Sequence, residues 1–470
     1  MHKVFNAQVL ALQQEFGSEQ VLSGAESEPF NQEPRGRFMG QADLVLRPRT
    51  RSEVQAMVRA TARMGLPLVA QGGATGLVGG ATAQRGEVLL SLKRLNQIRQ
   101  LDTVGLSVTA EAGCILADLQ RAAAEKNLLM PLSLAAEGSC TLGGNLATNA
   151  GGTQVLRWGN ARDLCLGLEV VTADGDCWSD LDGLRKDHRG LNLRDLFIGS
   201  EGTLGIITAA VMKLAPAPRS RMAAWVTLDS LAQALDLLCS ARTVLGDALS
   251  GFEVMGEAAQ TLIAPLPLPV APWAVLLELS SPRDEAPVRE DLVAWLGQML
   301  ERAWVREACV SHSLAQFQAF WALRESIPGA QTRAGGNLKH DISLPLRCIP
   351  QFVHECEAAL AQHFPGARPV VFGHLGDGNL HYNIAPPEGQ TLATFSAQEP
   401  LINRVIFDLV AKHQGSFSAE HGIGRLRAEE LAHRGNSTGL ALMHRIKRAL
   451  DPQNRLNPGR VLLASRPDGP

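Results

Sequence analysis

The segment Gln71-Gly72-Gly73-Ala74-Thr75-Gly76-Leu77-Val78-Gly79-Gly80-Ala81 decides how the first half of the chain folds. Before it, Pro67-Leu68-Val69-Ala70 is an apolar run of strand length. Further upstream, Thr50 and Glu53 stand at capping-box spacing ahead of an apolar stripe at Val54, Met57, Val58 and Ala62, which Gly65 ends. The order is therefore helix, buried strand, glycine loop. Five glycines in the ten residues after Gln71 are more than a surface turn requires. Successive glycines let backbone N–H groups converge on one point without side-chain obstruction, and such a nest of donors binds phosphate or pyrophosphate. The loop has neither the Gly-Lys-Ser/Thr of a Walker motif nor Rossmann spacing. A plain turn is the alternative on these residues alone.

Two further segments share this character. After a helix at about 116–126 comes Pro131-Leu132-Ser133-Leu134-Ala135-Ala136-Glu137-Gly138-Ser139-Cys140-Thr141-Leu142-Gly143-Gly144-Asn145-Leu146-Ala147-Thr148-Asn149-Ala150-Gly151-Gly152. Its small residues let the backbone pass close to a large flat ligand, with Ser139, Thr148 and Asn149 available for polar contacts. The third is Ile198-Gly199-Ser200-Glu201-Gly202-Thr203-Leu204-Gly205-Ile206-Ile207-Thr208. Three such segments point to one extended cofactor lying across a domain.

A chain of 470 residues, 45% apolar, has room for two or three domains. The formal charge of −3 offers no electrostatic case for nucleic acid or an anionic membrane, which leaves small molecules as the expected partners. The 8 cysteines include no CxxC pair, which suits reduced thiols in a cytoplasm. Glu15 interrupts what a signal peptide would need as an apolar region, and the run 266–279 is cut by Pro267, Pro269 and Pro272. Neither export nor a spanning helix is expected.

Pro216-Ala217-Pro218 marks a boundary, since glycine density drops after it. Strands at 222–228 and 274–279 alternate with helices at 231–245 and 288–303, the pattern of an open sheet with helices on one face. Arg324, near the end of an apolar helix, and Lys339, at the start of a strand, could together hold a substrate carboxylate; solvated surface charges are the alternative. Further on, Val370-Val371-Phe372 runs into Gly373-His374-Leu375-Gly376-Asp377-Gly378-Asn379-Leu380-His381-Tyr382-Asn383, which reads as strand, tight turn, strand. The hairpin brings His374 and His381 back towards each other, and His381 and Asn383 share a strand face. Two imidazoles with a carboxylate, for which Glu420 is the candidate, suit a divalent ion such as zinc and leave a position open for substrate. A turn histidine and a half-buried strand histidine would look the same.

Together, the loop 71–81, the run 137–152, Trp158-Gly159 and the segment 199–208 resemble the FAD-binding domain of the vanillyl-alcohol oxidase and p-cresol methylhydroxylase fold. That resemblance implies an α+β protein: a two-subdomain FAD-binding domain at 1–217, an α+β cap domain with an antiparallel sheet at 218–420, and a C-terminal helical segment at 421–470 returning to the flavin. It implies FAD pyrophosphate on Gly72, Gly73, Ala74, Thr75, Gly76 and Leu77. The rest of the nucleotide would run along Gly138, Ser139, Gly143, Gly144, Asn145, Thr148, Gly151 and Gly152, with Gly202, Ile206, Ile207 and Asn457. The first loop has no histidine or cysteine to tether the flavin, so non-covalent FAD is expected.

In order and local motif, Arg324, Lys339, His374, His381, Asn383, Glu420 and His421 resemble the active site of the D-2-hydroxyglutarate dehydrogenases and their D-lactate dehydrogenase relatives. The stretch from Leu450-Asp451-Pro452 through Asn457-Pro458-Gly459-Arg460 resembles that family's C-terminal signature. The resemblance implies metal on His374, His381 and Glu420, substrate on Arg324, Lys339 and Asn383, and His421 as the base. The implied substrate is D-2-hydroxyglutarate, with D-lactate or D-malate as alternatives. A quinone or an electron-transfer flavoprotein is the implied acceptor, in a cytoplasmic or membrane-peripheral protein that could dimerise through its cap. Pro328 departs from the family, which commonly has a hydroxyl residue four places after the arginine. Asp187-His188-Arg189-Gly190 also departs, without a consequence that can be named. A transferase like the alkyl-dihydroxyacetone-phosphate synthases would need a lipid-sized tunnel that nothing in the sequence announces. A flavin carrier without chemistry would not need the histidines, Glu420 and the cations.

Overall fold

The computed structural model describes residues 2–33, 36–263, 265 and 267–463; the first residue of the run 266–279 falls outside them. Two compact units emerge. One holds the chain up to Ala150, Asn160–Pro216 and everything from His421 onward; the other holds Gly151–Gly159 and Ala217–Glu420.

The first unit is built on two sheets. In the first, β1 (Val21–Ser23), β2 (Leu44–Leu46), β3 (Leu68–Gln71) and β4 (Val88–Ser91) lie in the order β1-β2-β4-β3, with β2, β4 and β3 parallel. The helix Arg51–Arg63 packs Val54, Met57 and Val58 into this core. Thr50 caps it by accepting the Glu53 N–H at 3.2 Å. In the second sheet, β5 (Ile98–Asp102), β6 (Ser107–Glu111), β8 (Cys165–Val171), β9 (Cys177–Asp180) and β10 (Ile206–Lys213) take the antiparallel order β5-β6-β10-β8-β9. A short pair, β7 (Leu128–Leu129) and β11 (Ala215–Pro216), completes the unit's strands. The C-terminal stretch comes back to β3, where Leu68 N–H donates to Arg455 O at 2.7 Å and Asn457 N–H to Leu68 O at 2.8 Å.

The second unit carries β12 (Ser220–Leu228), β13 (Leu249–Gly256), β14 (Trp273–Ser281), β15 (Glu307–Val310), β16 (Asp341–Ser343), β17 (Arg368–His374) and β18 (Asn379–Ala385). They form one antiparallel sheet in the order β15-β12-β14-β13-β17-β18-β16. Helices cover both faces of this sheet, where the sequence suggested only one. Met222, Ala224 and Val226 face a core with Leu237, Leu292 and Trp295, while Ala223 and Trp225 face another with Ala259, Phe317, Phe320 and Trp321. The signal lay in the central strands, which are near-continuous apolar runs and so are buried on both sides. Gly151–Gly159 belongs to this unit because Leu156 packs on Gly376 and the Arg157 guanidinium donates to Ser280 O.

Candidate functional site

In the first unit, β3 runs directly into the first glycine loop. The Gln71 side chain closes the stem, donating from Nε2 to Phe30 O and Ala81 O, both at 3.1 Å. The loop fits against the second glycine segment with no room to spare: a Cβ on Gly73 would lie 2.2 Å from Ser139 O, and one on Gly72 2.2 Å from Thr141 Oγ1. Ala74 takes φ +60°, a left-handed conformation that turns the backbone inward. A cavity opens between these segments. Gly72, Gly73, Ala74, Thr75, Gly76, Gly143, Gly144, Asn145, Thr148, Gly202, Ile206, Ile207, Asn457 and His421 line it. Thr141, Ala147 and Glu201 line it too, and sequence reasoning did not select them.

Five residues expected to hold the cofactor do not line this cavity. Leu77 and Gly138 lie off it, Ser139 backs the first loop through its carbonyl, and Gly151 and Gly152 belong to the second unit. The residues that do line it fit a dinucleotide. Backbone dominates the wall, and the buried hydroxyl of Thr141 and side-chain amide oxygen of Gln71 have no hydrogen-bond partner among the described residues. Asn457 ties the wall together: its Oδ1 accepts Ala70 N–H at 3.0 Å and its Nδ2 donates to Glu201 O at 2.6 Å.

The second unit gathers side chains instead. In the hairpin β17–β18, Phe372 pairs with His381 and Val370 with Asn383, while Asp341 of β16 lies opposite His381. Counting on along that register puts Lys339 opposite Asn383, so Lys339, Asp341, His381 and Asn383 occupy one face. The ligating atoms of His374, His381 and Glu420 lie within 4.8 Å of one another. Each imidazole presents Nε2 to a different Glu420 oxygen, His374 at 3.8 Å and His381 at 3.7 Å. The opposite ring nitrogens are backed by buried carboxylates: His374 Nδ1 is 2.7 Å from Glu253 Oε1, and His381 Nδ1 is 3.8 Å from Asp341 Oδ1. The hydrogen bond to Glu253 sets the His374 tautomer and turns its Nε2 toward Glu420, whereas Asp341, at 3.8 Å, is too far from His381 Nδ1 for a hydrogen bond and offers it a nearby charge. Asp341 also accepts Glu420 N–H at 3.0 Å and Asn379 Nδ2 at 2.9 Å, which orients the third ligand.

Glu253, at the centre of this arrangement, is fully buried on β13. Burial alone would raise its pKa; the charges of His374 and Arg324 outweigh burial and hold it below the ordinary carboxylate range. Burial likewise opposes charge on His374, but the Glu253 carboxylate prevails and lifts the imidazole to about 9. A divalent ion held at Nε2 would compete with that proton. Arg324 sits in the middle of the helix Leu314–Arg333, not near its end. Its Nε donates to Glu253 Oε2 at 2.9 Å; Nη2, 2.7 Å from the same oxygen but angled off it, has no hydrogen-bond partner. Asn383 is buried and already engaged: Nδ2 donates to Gln331 Oε1 at 3.0 Å, and Oδ1 accepts His340 N–H at 3.3 Å. Pro328, one turn beyond Arg324, has no N–H to offer the Arg324 carbonyl.

Residues 42–179 match the FAD binding domain family and residues 217–461 the FAD linked oxidase C-terminal domain family. The D-2-hydroxyglutarate dehydrogenase of Bos taurus, a mitochondrial protein, is 38% identical over 450 residues, covering 94% of this chain and 81% of its own. The chain belongs to the D-2-hydroxyglutarate dehydrogenase family of FAD-linked oxidoreductases. The match to the FAD binding domain spans both the first and the second glycine segments that wall the cavity. A solved p-cresol methylhydroxylase shares its fold at TM-score 0.78 and 18% identity, over 98% of this chain and 97% of that one. An alkyldihydroxyacetonephosphate synthase does so at TM-score 0.73 and 17% identity, over 96% and 84%. At such identities only the fold carries over, and two different chemistries on it show that the fold does not choose the reaction.

Proposed function

We propose that this member of the D-2-hydroxyglutarate dehydrogenase family oxidises a D-2-hydroxy acid, D-2-hydroxyglutarate foremost, to the 2-oxo acid, with FAD bound non-covalently and a divalent metal, zinc by its ligand set. The observation that carries the reading is the pair of carboxylate-backed imidazoles presenting Nε2 to Glu420. Bound FAD supplies the hydride acceptor at flavin N5. His374, His381 and Glu420 would hold zinc, which would supply Lewis acidity toward the substrate. Glu253 keeps His374 in the ligating tautomer, and Asp341 holds Glu420 through its N–H. Arg324, ion-paired with Glu253 through Nη2 yet with that group's N–H bonds not spent on it, and Lys339 hold a carboxylate, while Asn383 fixes the strand that bears His381. His421, next in the chain after Glu420, takes the hydroxyl proton as general base.

Pro328 supports a second reading, with D-lactate as main substrate, because no hydroxyl stands one turn beyond Arg324 to receive a distal carboxylate; D-malate, a shorter diacid, is the remaining alternative. The family relationship supports a quinone or an electron-transfer flavoprotein as acceptor, and a homodimer through the cap. Among the described residues no helix is long and apolar enough to cross a membrane. Anaerobic addition of D-2-hydroxyglutarate, D-lactate and D-malate, with flavin absorbance followed, tests the proposal. Bleaching by D-2-hydroxyglutarate at the lowest concentration is expected; preferential bleaching by D-lactate selects the second reading, and no bleaching by any of them sinks both.

A further inference from the structure

Glu201 is a buried carboxylate whose role neither the cofactor nor the metal explains. It is 7% exposed and lines the FAD cavity, yet among the described residues no cation pairs with it. A buried charge without a counter-ion is costly and calls for a reason. Its backbone is also unusual, at φ +50°. That conformation is held by Glu201 N–H to Ala147 O at 2.8 Å and by Asn457 Nδ2 to Glu201 O at 2.6 Å.

The carboxylate is aimed at the loop that follows His421. One oxygen accepts Ile423 N–H at 2.7 Å and the other accepts Gly424 N–H at 2.8 Å. From the opposite side, Val78 O accepts Arg425 N–H at 2.9 Å and Leu426 N–H at 3.1 Å. The loop is shaped to lie between them. Gly422 has φ +82° and a Cβ there would be 2.8 Å from Glu201 Oε1; Gly424 has φ +50° and a Cβ there would be 2.4 Å from Val78 O. His421 heads this loop and lines the same cavity.

We infer that Glu201 is the positioning residue of the general base: its carboxylate grips the backbone at Ile423 and Gly424 and thereby sets where His421 stands in the FAD cavity. This rests on His421 being the base. Glu201→Gln keeps one acceptor but turns an N–H₂ toward the second backbone donor, so one grip is lost.

In the FAD- and metal-loaded enzyme, Glu201→Gln is expected to retain flavin and the KM for D-2-hydroxyglutarate while slowing flavin reduction about 30-fold, the scale of a lost charge-assisted hydrogen bond. His421→Ala and the double variant are measured beside it. If Glu201 acts through His421, the double variant is no slower than His421→Ala alone. Additive slowing, or a full-rate Glu201→Gln, overturns the positioning role; unchanged reduction in His421→Ala overturns the base reading itself. Should Glu201→Gln fail to hold flavin, Gly422→Ala takes its place, because the added methyl pushes the carboxylate off the loop while keeping Glu201. The same slowing, again masked by His421→Ala, is expected there. A full rate, or flavin loss in that variant too, overturns the proposal.

Discussion

Two buried glutamates, one in each unit, meet opposite fates. Glu253 stands between an arginine and a histidine, and those charges hold its pKa below the ordinary carboxylate range against the cost of burial. Among the described residues the Glu201 carboxylate meets two backbone N–H groups and no cation; burial wins and pushes it up to about 7. The contrast extends to their surroundings. The glycine-lined cavity is a wall of backbone, made possible by side chains that are missing, whereas the His374, His381 and Glu420 cluster is a set of side chains braced by other side chains. One region is therefore vulnerable to added atoms, the other to deleted charge.

The largest expected effect comes from removing the Glu253 charge. Glu253→Gln leaves Arg324 buried without its counter-ion, and breaking such a pair costs about 3–5 kcal/mol. Glutamine also keeps a single acceptor oxygen for two donors, Arg324 Nε and His374 Nδ1, so the charge behind His374 is lost, which is expected to weaken metal binding about 10–100-fold in a chelator competition. Unchanged stability and metal affinity would mean that Glu253 braces nothing.

Glu201→Gln is expected to do the reverse. The folded state holds its proton up to about pH 7, whereas the unfolded carboxyl loses it near 4.5. The folded protein therefore binds more protons between those values, and wild-type stability falls as pH rises through that window. Glutamine does not titrate. Denaturant unfolding should show the variant equal to wild type below pH 4.5 and more stable above pH 7, by at most about 3 kcal/mol. A pH-independent difference would erase the contrast between the two glutamates.

Gly73→Ala probes the backbone wall with the smallest effect. Its Cβ would lie 2.2 Å from Ser139 O, and relieving such a contact costs about 1–3 kcal/mol. FAD affinity should fall about tenfold while metal content stays as in wild type; equal loss of both would contradict separate construction of the two sites.

These differences also explain what the sequence could reveal. Backbone sites advertise themselves through composition, so the glycines of the loop at 71–81 are enough to disclose a phosphate nest. The hairpin is legible because period-2 alternation frames a glycine turn, and its strands run where the pattern places them. Braces leave fainter marks. Glu253 is one charged residue in the apolar run Leu249–Gly256, and only the rule that such a charge must find a partner could have singled it out. Glu201 hides inside a glycine motif that a cofactor already accounts for. Its partners Ile423 and Gly424 are over 200 residues away and donate through backbone alone, a contact with no side-chain signature. The second helical layer of the cap is hard to read because the helix Leu314–Arg333 carries polar residues all round its apolar stripe.

On the proposed mechanism, the cluster of His374, His381 and Glu420 holds a metal that the oxidation needs. Anaerobic flavin reduction by D-2-hydroxyglutarate tests it most directly, measured on enzyme as purified, after chelation with FAD retained, and after zinc is restored. The account predicts bleaching, then slowing by about three orders of magnitude on chelation, then recovery with zinc. Undiminished bleaching by the metal-free flavoenzyme would contradict it.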